Sequence, residues 1–182
     1  MPNLLKIKNL NEIKYHPLYL NNKSKVSFEK NNFNIGLSWS GNPNFPLDEY
    51  RSIPFENFKN ILDTNKVNFY KLSQNIKNDE FLNYNSFSNL FDFSNKSLFE
   101  ISEIMTELDL VISSDTSIIH LAGILNIKSI LLLNYNSEWR WFRDKSKTIW
   151  YPSVEIIKQE TFDSWEYVFK ELKKRIDNLI KK

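Results

Sequence analysis

Apolar runs of strand length alternate along the chain with stretches that have helical spacing, and this alternation limits the fold more than any other feature. The strand-like runs are Phe33 to Trp39, Val67 to Leu72, Leu108 to Ile112, Ser129 to Leu133 and Val154 to Ile157. Strands alternating with helices predict a mostly parallel sheet with helices on both faces. The run "ILLL" at 130–133 has no polar alternation, which is typical of a strand buried on both sides. We therefore expect a doubly wound α/β fold.

Three of the intervening segments carry helix signals. Pro54 stands where a first-turn proline is tolerated, before an apolar stripe at helical spacing. Ser97 and Glu100 have the spacing of a capping box, and the helix that they open is expected to end near Glu107. An amphipathic helix is expected from Asp163 onwards. Its apolar face comprises Trp165, Phe169, Leu172, Ile176 and Leu179.

Composition excludes several classes of function. The 182 residues suit one globular domain, and the formal net charge of +2 gives no field that would argue for nucleic acid as a partner. The chain has no cysteine, so disulfides and thiolate catalysis are excluded. Two distant histidines, His16 and His120, make a histidine-rich metal site unexpected.

No apolar run approaches the roughly 20 residues of a transmembrane segment, and the N-terminus lacks the apolar core of a signal peptide. We therefore expect a cytoplasmic protein. Residues 1–32, with "NNKSK" and "EKNN", are interpreted as a lead-in segment or a remnant of a preceding domain, and residues 33–182 as the folded domain.

Polar, glycine, cationic and aromatic residues follow the predicted strands. In doubly wound sheets ligands bind beyond the carboxyl ends of the strands, so these clusters are expected to converge on one edge. That convergence indicates a binding site more strongly than any single cluster does. The clusters are Ser40 to Pro43 with Arg51, Ser73 with Gln74, Ser113 to Ser117, and Asn134 to Asn136 with Trp139, Arg140 and Trp141.

The stretch "VISSDTSIIHLAG" at 111–123 passes from a strand into a helix through small polar residues. If the helix starts near Thr116, its first amides lack partners and its dipole favours an anion such as a pyrophosphate. Thr116 and Ser117 add hydroxyl groups, and His120 shares their face of the helix and could donate to the same phosphate. Asp115 is expected to cap the helix or to accept hydrogen bonds from sugar hydroxyls.

Each of these residues also has an ordinary structural explanation. Asp115 or Thr116 could simply cap a helix, and a lone histidine in an apolar helix is often a satisfied core residue. "GNP" at 41–43 is by itself a turn signal, and an arginine such as Arg51 is often merely ion-paired. Tryptophans such as Trp139 are common at the rim of a core. The residues taken singly leave these alternatives open.

The ordered set "GLSWSGNP", "RSIP", "ELDLVISSDTSIIHLAG", "WRWFRDKSKTIWYPS" and "IIKQ" resembles the C-terminal domain of a group of bacterial glycosyltransferase-like proteins. These often carry tetratricopeptide repeats and are similar to the heptosyltransferases of glycosyltransferase family 9. The resemblance covers Phe33 to the C-terminus. It implies a GT-B fold, in which two Rossmann-like domains face each other and the C-terminal one binds a nucleotide-diphosphate sugar. It implies a hexosyl- or heptosyltransferase with no metal and no other cofactor.

The resemblance also suggests substrate-binding residues. The family's Asp-Thr-x-x-x-His element, at the donor's phosphates and sugar, matches Asp115, Thr116, Ser117 and His120. Gly41 and Asn42 match its first glycine-rich turn, and Arg51 matches its arginine before Ser-Ile-Pro. The family tends to have Ser-Leu-Gln after the second strand, whereas this chain has "LSQ" ending in Gln74. Trp139 and Arg140 complete the predicted binding residues.

Enzymes of the GT-B type usually supply the acceptor site and the catalytic base from the N-terminal domain, and about 32 residues precede the first predicted strand here. The leading hypothesis is therefore a sugar-nucleotide-binding domain that transfers a sugar when an N-terminal half or a tetratricopeptide-repeat partner completes it. The alternative is a non-catalytic binding or assembly module that retains the fold. Catalytic residues are not identified from the sequence.

Overall fold

The protein is described by a computed structural model, which covers residues 9, 12–20, 24, 26–46, 48–73, 87–137, 139–141 and 146–181. The strands are β1 (Phe33–Ser38), β2 (Val67–Lys71), β3 (Leu90–Asp92), β4 (Leu110–Ser113), β5 (Ser129–Leu133) and β6 (Val154–Lys158). The helices are α1 (Asp48–Arg51), α2 (Lys59–Leu62), α3 (Leu98–Met105), α4 (Ser117–Ile124) and α5 (Glu166–Ile180). Single 3-10 turns lie at Phe55–Phe58 and Trp139–Trp141.

The six strands form one parallel sheet in the order β3-β2-β1-β4-β5-β6. This arrangement confirms the predicted α/β fold. The chain extends the sheet from β1 to β3 in one direction and from β4 to β6 in the other, so the topological switch point lies between β1 and β4. Ser38 at the end of β1 is in register with Ser113 at the end of β4. Ligands in such sheets bind beyond this point.

Apolar side chains fill both faces of the sheet. On one face Trp39 packs against Phe55 and Phe58, with ring centroids 5.1 and 5.8 Å apart. Helix α5 covers the same face through Val168, Leu172 and Ile176, which are all fully buried. The other face is covered by α3 and α4. Burial of each such aliphatic side chain contributes about 1.5–3 kcal/mol, so the two covered faces hold the sheet in place.

The helix boundaries follow local chemistry. The capping box is confirmed: Ser97 Oγ accepts from the amide of Glu100, and Glu100 Oε2 accepts from the amide of Ser97, at 3.3 and 2.9 Å. The helix ends at Met105, two residues before the expected position. The expected start of the last helix at Asp163 is wrong. Asp163 has a φ of 61°, in the left-handed region, and α5 begins at Glu166.

The structure has one strand that was not predicted, and one predicted strand begins later than expected. β3 was not predicted, because three partly exposed residues at the sheet edge carry no recognisable apolar pattern. It forms through pairing with β2, where Phe69 is in register with Leu90. Leu108, predicted to start a strand, instead donates its amide to the carbonyl oxygen of Met105 and closes the turn after α3.

The described part of the lead-in segment packs against the domain. The hydroxyl of Tyr15 donates to the carbonyl oxygen of Gly123 at 2.6 Å, and the amide of Leu18 donates to the carbonyl oxygen of Ile124 at 2.9 Å. The carbonyl oxygen of Gly123 also accepts from the amide of Asn126 at 3.1 Å, so Tyr15 adds a further hydrogen bond at the end of α4. Burial raises the pKa of Tyr15. Within the described ranges, no helix is long and apolar enough to cross a membrane.

Candidate functional site

A cavity of about 280 Å³ lies at the switch point, beyond the carboxyl ends of β1, β2 and β4. It brings together five residues that the sequence predicted to bind substrate: Gly41, Asn42, Arg51, Thr116 and Ser117. The remaining lining residues are Ser38, Ser40, Leu72, Ser73, Leu98, Ile101 and Ile118. Residues from distant parts of the chain therefore meet at one place, as expected from the positions of the strand ends.

The N-terminus of α4 borders this cavity without a side-chain cap. Thr116 is the N-cap residue, and its hydroxyl caps no amide of the helix. The Thr116 hydroxyl lies 3.0 Å from Ser113 Oγ and 3.3 Å from Ser38 Oγ instead. Because Ser113 donates its own proton to the carbonyl oxygen of Ser114, the hydroxyl of Thr116 donates to Ser113. The first backbone amides of α4, those of Ser117 and Ile118, have no partner within the helix and thus remain available to an anion.

Arg51 is held beside the same cavity by three contacts. Its Nε donates to Asp48 Oδ1 at 2.9 Å, and its Nη1 donates to the carbonyl oxygen of Asp115 at 3.3 Å. The guanidinium also lies 4.4 Å above the centre of the Phe45 ring. The second carboxylate oxygen of Asp48 accepts from the Ser52 hydroxyl at 2.8 Å. The position of the cation is therefore fixed before any ligand binds.

Gly41 allows Arg51 and Asp48 to approach the backbone. A Cβ atom at position 41 would lie 2.5 Å from Arg51 Nη2 and 2.5 Å from Asp48 Oδ1, so a larger residue would displace the ion pair. The amide of Gly41 donates to Ser52 Oγ at 3.1 Å. Asn42 is exposed, and its Oδ1 accepts from the amide of Asn44 at 3.0 Å, which is the turn chemistry that the sequence also allowed.

Ser73 lines the cavity, and the sequence analysis placed it in the cluster after the second strand but did not select it as a binding residue. It is 3% exposed, and its Oγ has no hydrogen-bond partner among the described residues. A buried hydroxyl without a partner costs about 1–3 kcal/mol, so a ligand oxygen at this place would be stabilised by it. Its position after the second predicted strand, Val67 to Leu72, was the available signal. The predicted neighbour, Gln74, lies outside the described residues.

His120 and Asp115, which the sequence predicted to bind substrate, are not among the residues that line the cavity. His120 lies on α4, three residues after Ser117, and is held by its neighbours. Its Nδ1 is 3.1 Å from the Tyr151 hydroxyl, and its Nε2 is 3.7 Å from Asp115 Oδ1. The imidazole stacks on Trp141 at 5.2 Å, with 22° between the rings. Gly123 leaves the space that the Tyr151 ring occupies, so Tyr151 can reach the histidine. The side chain of His120 is still 32% exposed, which leaves it accessible to a ligand.

The polar groups around His120 are partly shielded from solvent. Burial raises the pKa of Tyr151, and the nearby Arg140 guanidinium lowers it to a smaller extent. Tyr151 therefore keeps its proton at neutral pH and can donate or accept a hydrogen bond at Nδ1 of His120. The side chain of Asp115 is 13% exposed. The arrangement fixes the imidazole between a phenol and a carboxylate.

The predicted residues Trp139 and Arg140 do not line the cavity. Trp139 is 73% exposed, and the carbonyl oxygen of Arg140 accepts from Trp150 Nε1 at 2.9 Å. Of the three residues in that cluster, Trp141 is the one that stacks on His120, and the sequence analysis did not select it as a binding residue. Binding roles for Trp139 and Arg140 stay predictions. In the part of the chain that the structure describes, no group of three or more His, Cys, Asp or Glu could hold a metal ion.

The chain matches no protein-family model and no curated protein sequence. Its fold is similar to that of two solved heptosyltransferase structures from E. coli. ADP-heptose LPS heptosyltransferase II has a TM-score of 0.58 at 12% identity, over 85% of this chain and 48% of that one. Heptosyltransferase WaaC, solved with ADP, has a TM-score of 0.55 at 13% identity, over 81% of this chain and 44% of that one.

These similarities confirm the likeness to heptosyltransferase structures that the sequence motifs suggested. At 12% and 13% identity they are a likeness of fold. The chain spans about half the length of the two structures, with 48% and 44% of their residues covered.

Proposed function

We propose that the cavity at the switch point binds the diphosphate of a nucleotide-diphosphate sugar, and that the domain is the donor-binding half of a GT-B glycosyltransferase. One observation carries this proposal: the uncapped N-terminus of α4 and the fixed guanidinium of Arg51 border the same cavity. The buried hydroxyl of Ser73, which has no hydrogen-bond partner among the described residues, supports it, since a phosphate oxygen would accept its proton.

The charges around the cavity suit an anion. The helix N-terminus carries roughly half a positive charge. The charge of Arg51 is partly balanced by the carboxylate of Asp48, which accepts from Arg51 with one oxygen and from the Ser52 hydroxyl with the other. The guanidinium still presents its remaining N–H donors to a ligand. During sugar transfer, negative charge develops on the leaving nucleoside diphosphate. Donors fixed around that position would stabilise the leaving group as the bond breaks.

His120 and Asp115 have complementary roles in this proposal. With Nδ1 of His120 accepting from Tyr151, Nε2 carries the proton and donates towards a phosphate oxygen at the edge of the cavity. A carboxylate disfavours direct contact with a phosphate, so Asp115 accepts hydrogen bonds from hydroxyl groups of the sugar. Sugar transfer also needs an acceptor site and a catalytic base. In this proposal, an N-terminal half or a tetratricopeptide-repeat partner supplies both.

Calorimetric titration tests the binding. ADP is tested first, because one structural neighbour was solved with it. UDP, GDP, CDP, dTDP and the corresponding nucleotide-diphosphate sugars follow. Nucleosides and monophosphates serve as comparisons and are expected to bind more weakly. Ser73→Ala should reduce affinity, whereas Ser153→Ala should not, since Ser153 is another buried hydroxyl without a described partner but lies outside the cavity. If no diphosphate binds at millimolar concentration, the proposal is wrong.

A further inference from the structure

A second and larger cavity lies on the other side of α1. Its volume is about 880 Å³, within the range of about 300–1,000 Å³ that is usual for small-molecule sites. Its walls come from residues 49–61, from the loop 134–136 after β5, and from residues 159–173 after β6. Glu49 and Tyr50 of α1 line this cavity and Arg51 of α1 lines the cavity at the switch point, so α1 lies between the two.

Side-chain amides provide much of the polar lining. Asn60, Asn134 and Asn136 line the cavity, and within the described ranges their side chains make no hydrogen bond to a protein group. Each amide offers two donor hydrogens and an acceptor oxygen. The backbone that carries Asn134 is held in place, because the amide of Tyr135 donates to Oε1 of buried Gln159 at 2.9 Å. Sugar hydroxyls also both donate and accept hydrogen bonds, so they suit amide side chains as partners.

Two exposed aromatic rings stand at the same cavity. Tyr50 is 46% exposed and Phe162 is 59% exposed, and their ring centroids are 6.5 Å apart. The next residue, Asp163, has a φ of 61°, a conformation that aspartate tolerates better than most residues and that sets the direction of this loop. The electron-rich face of an aromatic ring attracts polarised C–H groups, which the apolar face of a pyranose supplies.

The charges in the cavity disfavour an anion. Four carboxylates line it (Glu49, Glu56, Asp163 and Glu166), against the two ammonium groups of Lys170 and Lys173. Glu56 is paired with Lys59, and Lys173 Nζ lies 2.5 Å from Asp177 Oδ1. Outside these two ion pairs, the cavity lining carries three carboxylates and one ammonium group. A phosphate or a carboxylated ligand would be repelled here, whereas an uncharged ligand would not.

We propose that this cavity is a binding site for a neutral glycan, with the amides holding hydroxyl groups and with Tyr50 and Phe162 contacting the face of a pyranose ring. The site is separate from the cavity at the switch point. It does not depend on whether that cavity binds a nucleotide.

Saturation-transfer NMR and calorimetry of the full chain test the site. The probes are maltose, galactobiose and N,N′-diacetylchitobiose, with digalacturonic acid as the carboxylated counterpart of galactobiose. At least one neutral disaccharide is expected to bind, and digalacturonic acid is expected to bind more weakly than galactobiose or not at all. Phe162→Ala and Asn60→Ala should each weaken binding about fivefold, as expected for loss of one ring contact or polar contact.

Phe99→Ala is the matched control. Phe99 is 57% exposed, close to the 59% of Phe162, and lies on α3 outside the cavity, so its removal should leave glycan affinity unchanged. All three positions are exposed, and melting temperatures confirm that each variant folds. Absence of binding by every neutral disaccharide, tighter binding of digalacturonic acid, or unchanged affinity in Phe162→Ala would each overturn the proposal. Titration of the same samples with ADP reports on the other cavity, so the two proposals can fail separately.

Discussion

The guanidinium of Arg51 donates a hydrogen bond to the backbone carbonyl oxygen of Asp115, with 3.3 Å between Nη1 and the oxygen. The two residues are 64 positions apart in the chain. Their contact joins the segment that follows β1 to the loop that follows β4. A cation and a helix N-terminus are thereby fixed relative to each other across the switch point of the sheet.

Replacement of this cation should weaken diphosphate binding. Arg51→Ala removes one charge-assisted contact, which is worth about 1.5–3 kcal/mol, so the Kd for a bound nucleoside diphosphate should rise roughly 10- to 100-fold. Isothermal titration gives the value. Arg175→Ala is the control, because Arg175 is also ion-paired, with Glu155, but lies outside the cavity. Equal affinity for the Arg51→Ala variant and the wild-type chain would remove Arg51 from the site.

Gly41→Ala should disturb the ion pair of Arg51 and Asp48. The added methyl group would meet the guanidinium and a carboxylate oxygen at 2.5 Å each, and overpacking of this kind costs about 1–3 kcal/mol of unfolding free energy. Urea unfolding measures the loss. Two of the three nearest atoms belong to Arg51, so part of the loss should disappear when Gly41→Ala is combined with Arg51→Ala. Strictly additive losses would show that the two positions are not coupled.

His120→Ala distinguishes a binding role from a core role. If the imidazole donates to a phosphate, nucleoside diphosphate affinity should fall by about 1.5–3 kcal/mol while the domain stays folded. Titration and thermal melting are measured on the same sample. His16→Ala serves as control, since His16 is exposed and lies in the lead-in segment. A lower melting temperature with unchanged affinity would support the ordinary explanation, a histidine satisfied by Tyr151 and Trp141.

Tyr151 should contribute to a loss of stability at alkaline pH. Burial raises its pKa above the ordinary value of 10.0, so the folded chain retains a proton that the unfolded chain has lost. The stabilisation is therefore complete below about pH 10 and is lost as the pH rises through the folded pKa. Urea unfolding between about pH 8 and about pH 11 should give a shallower decline for Tyr151→Phe than for the wild-type chain. The exposed Tyr167 provides a control, as Tyr167→Phe should keep the wild-type slope.

The isolated chain should bind a donor without transferring its sugar. A general base must come within about 2.6–3.2 Å of the acceptor hydroxyl, and we expect that base on the facing domain of a GT-B enzyme. Purified chain is incubated with nucleotide sugars and acceptors, with and without a co-expressed N-terminal partner, and products are identified by mass spectrometry. Acceptor-dependent transfer by the chain alone, lost in Asp115→Ala, would place the catalytic base within this domain.

Local sequence patterns were enough to predict five of the six described strands, in their order along the chain, and several of the element ends. The capping box of Ser97 and Glu100 depends on residues three positions apart, and the start of α4 at Ser117 depends on an abrupt change from apolar to hydroxyl residues. Such features are set by hydrogen bonds and periodicity within a few residues. The parallel sheet and the location of the candidate site beyond its carboxyl edge follow from the same alternation.

Only the tertiary structure decided which side chains meet. The sequence predicted that the Thr116 hydroxyl binds a ligand. Pairing of β1 with β4 instead brings Ser38 and Ser113 close to this hydroxyl, and it forms hydrogen bonds with their side chains. It selected Trp139 from the aromatic cluster, whereas burial places Trp141 against His120. These outcomes depend on contacts between residues that are far apart in the chain. No local pattern records such contacts, because they exist only once the order of the strands has fixed which segments are neighbours.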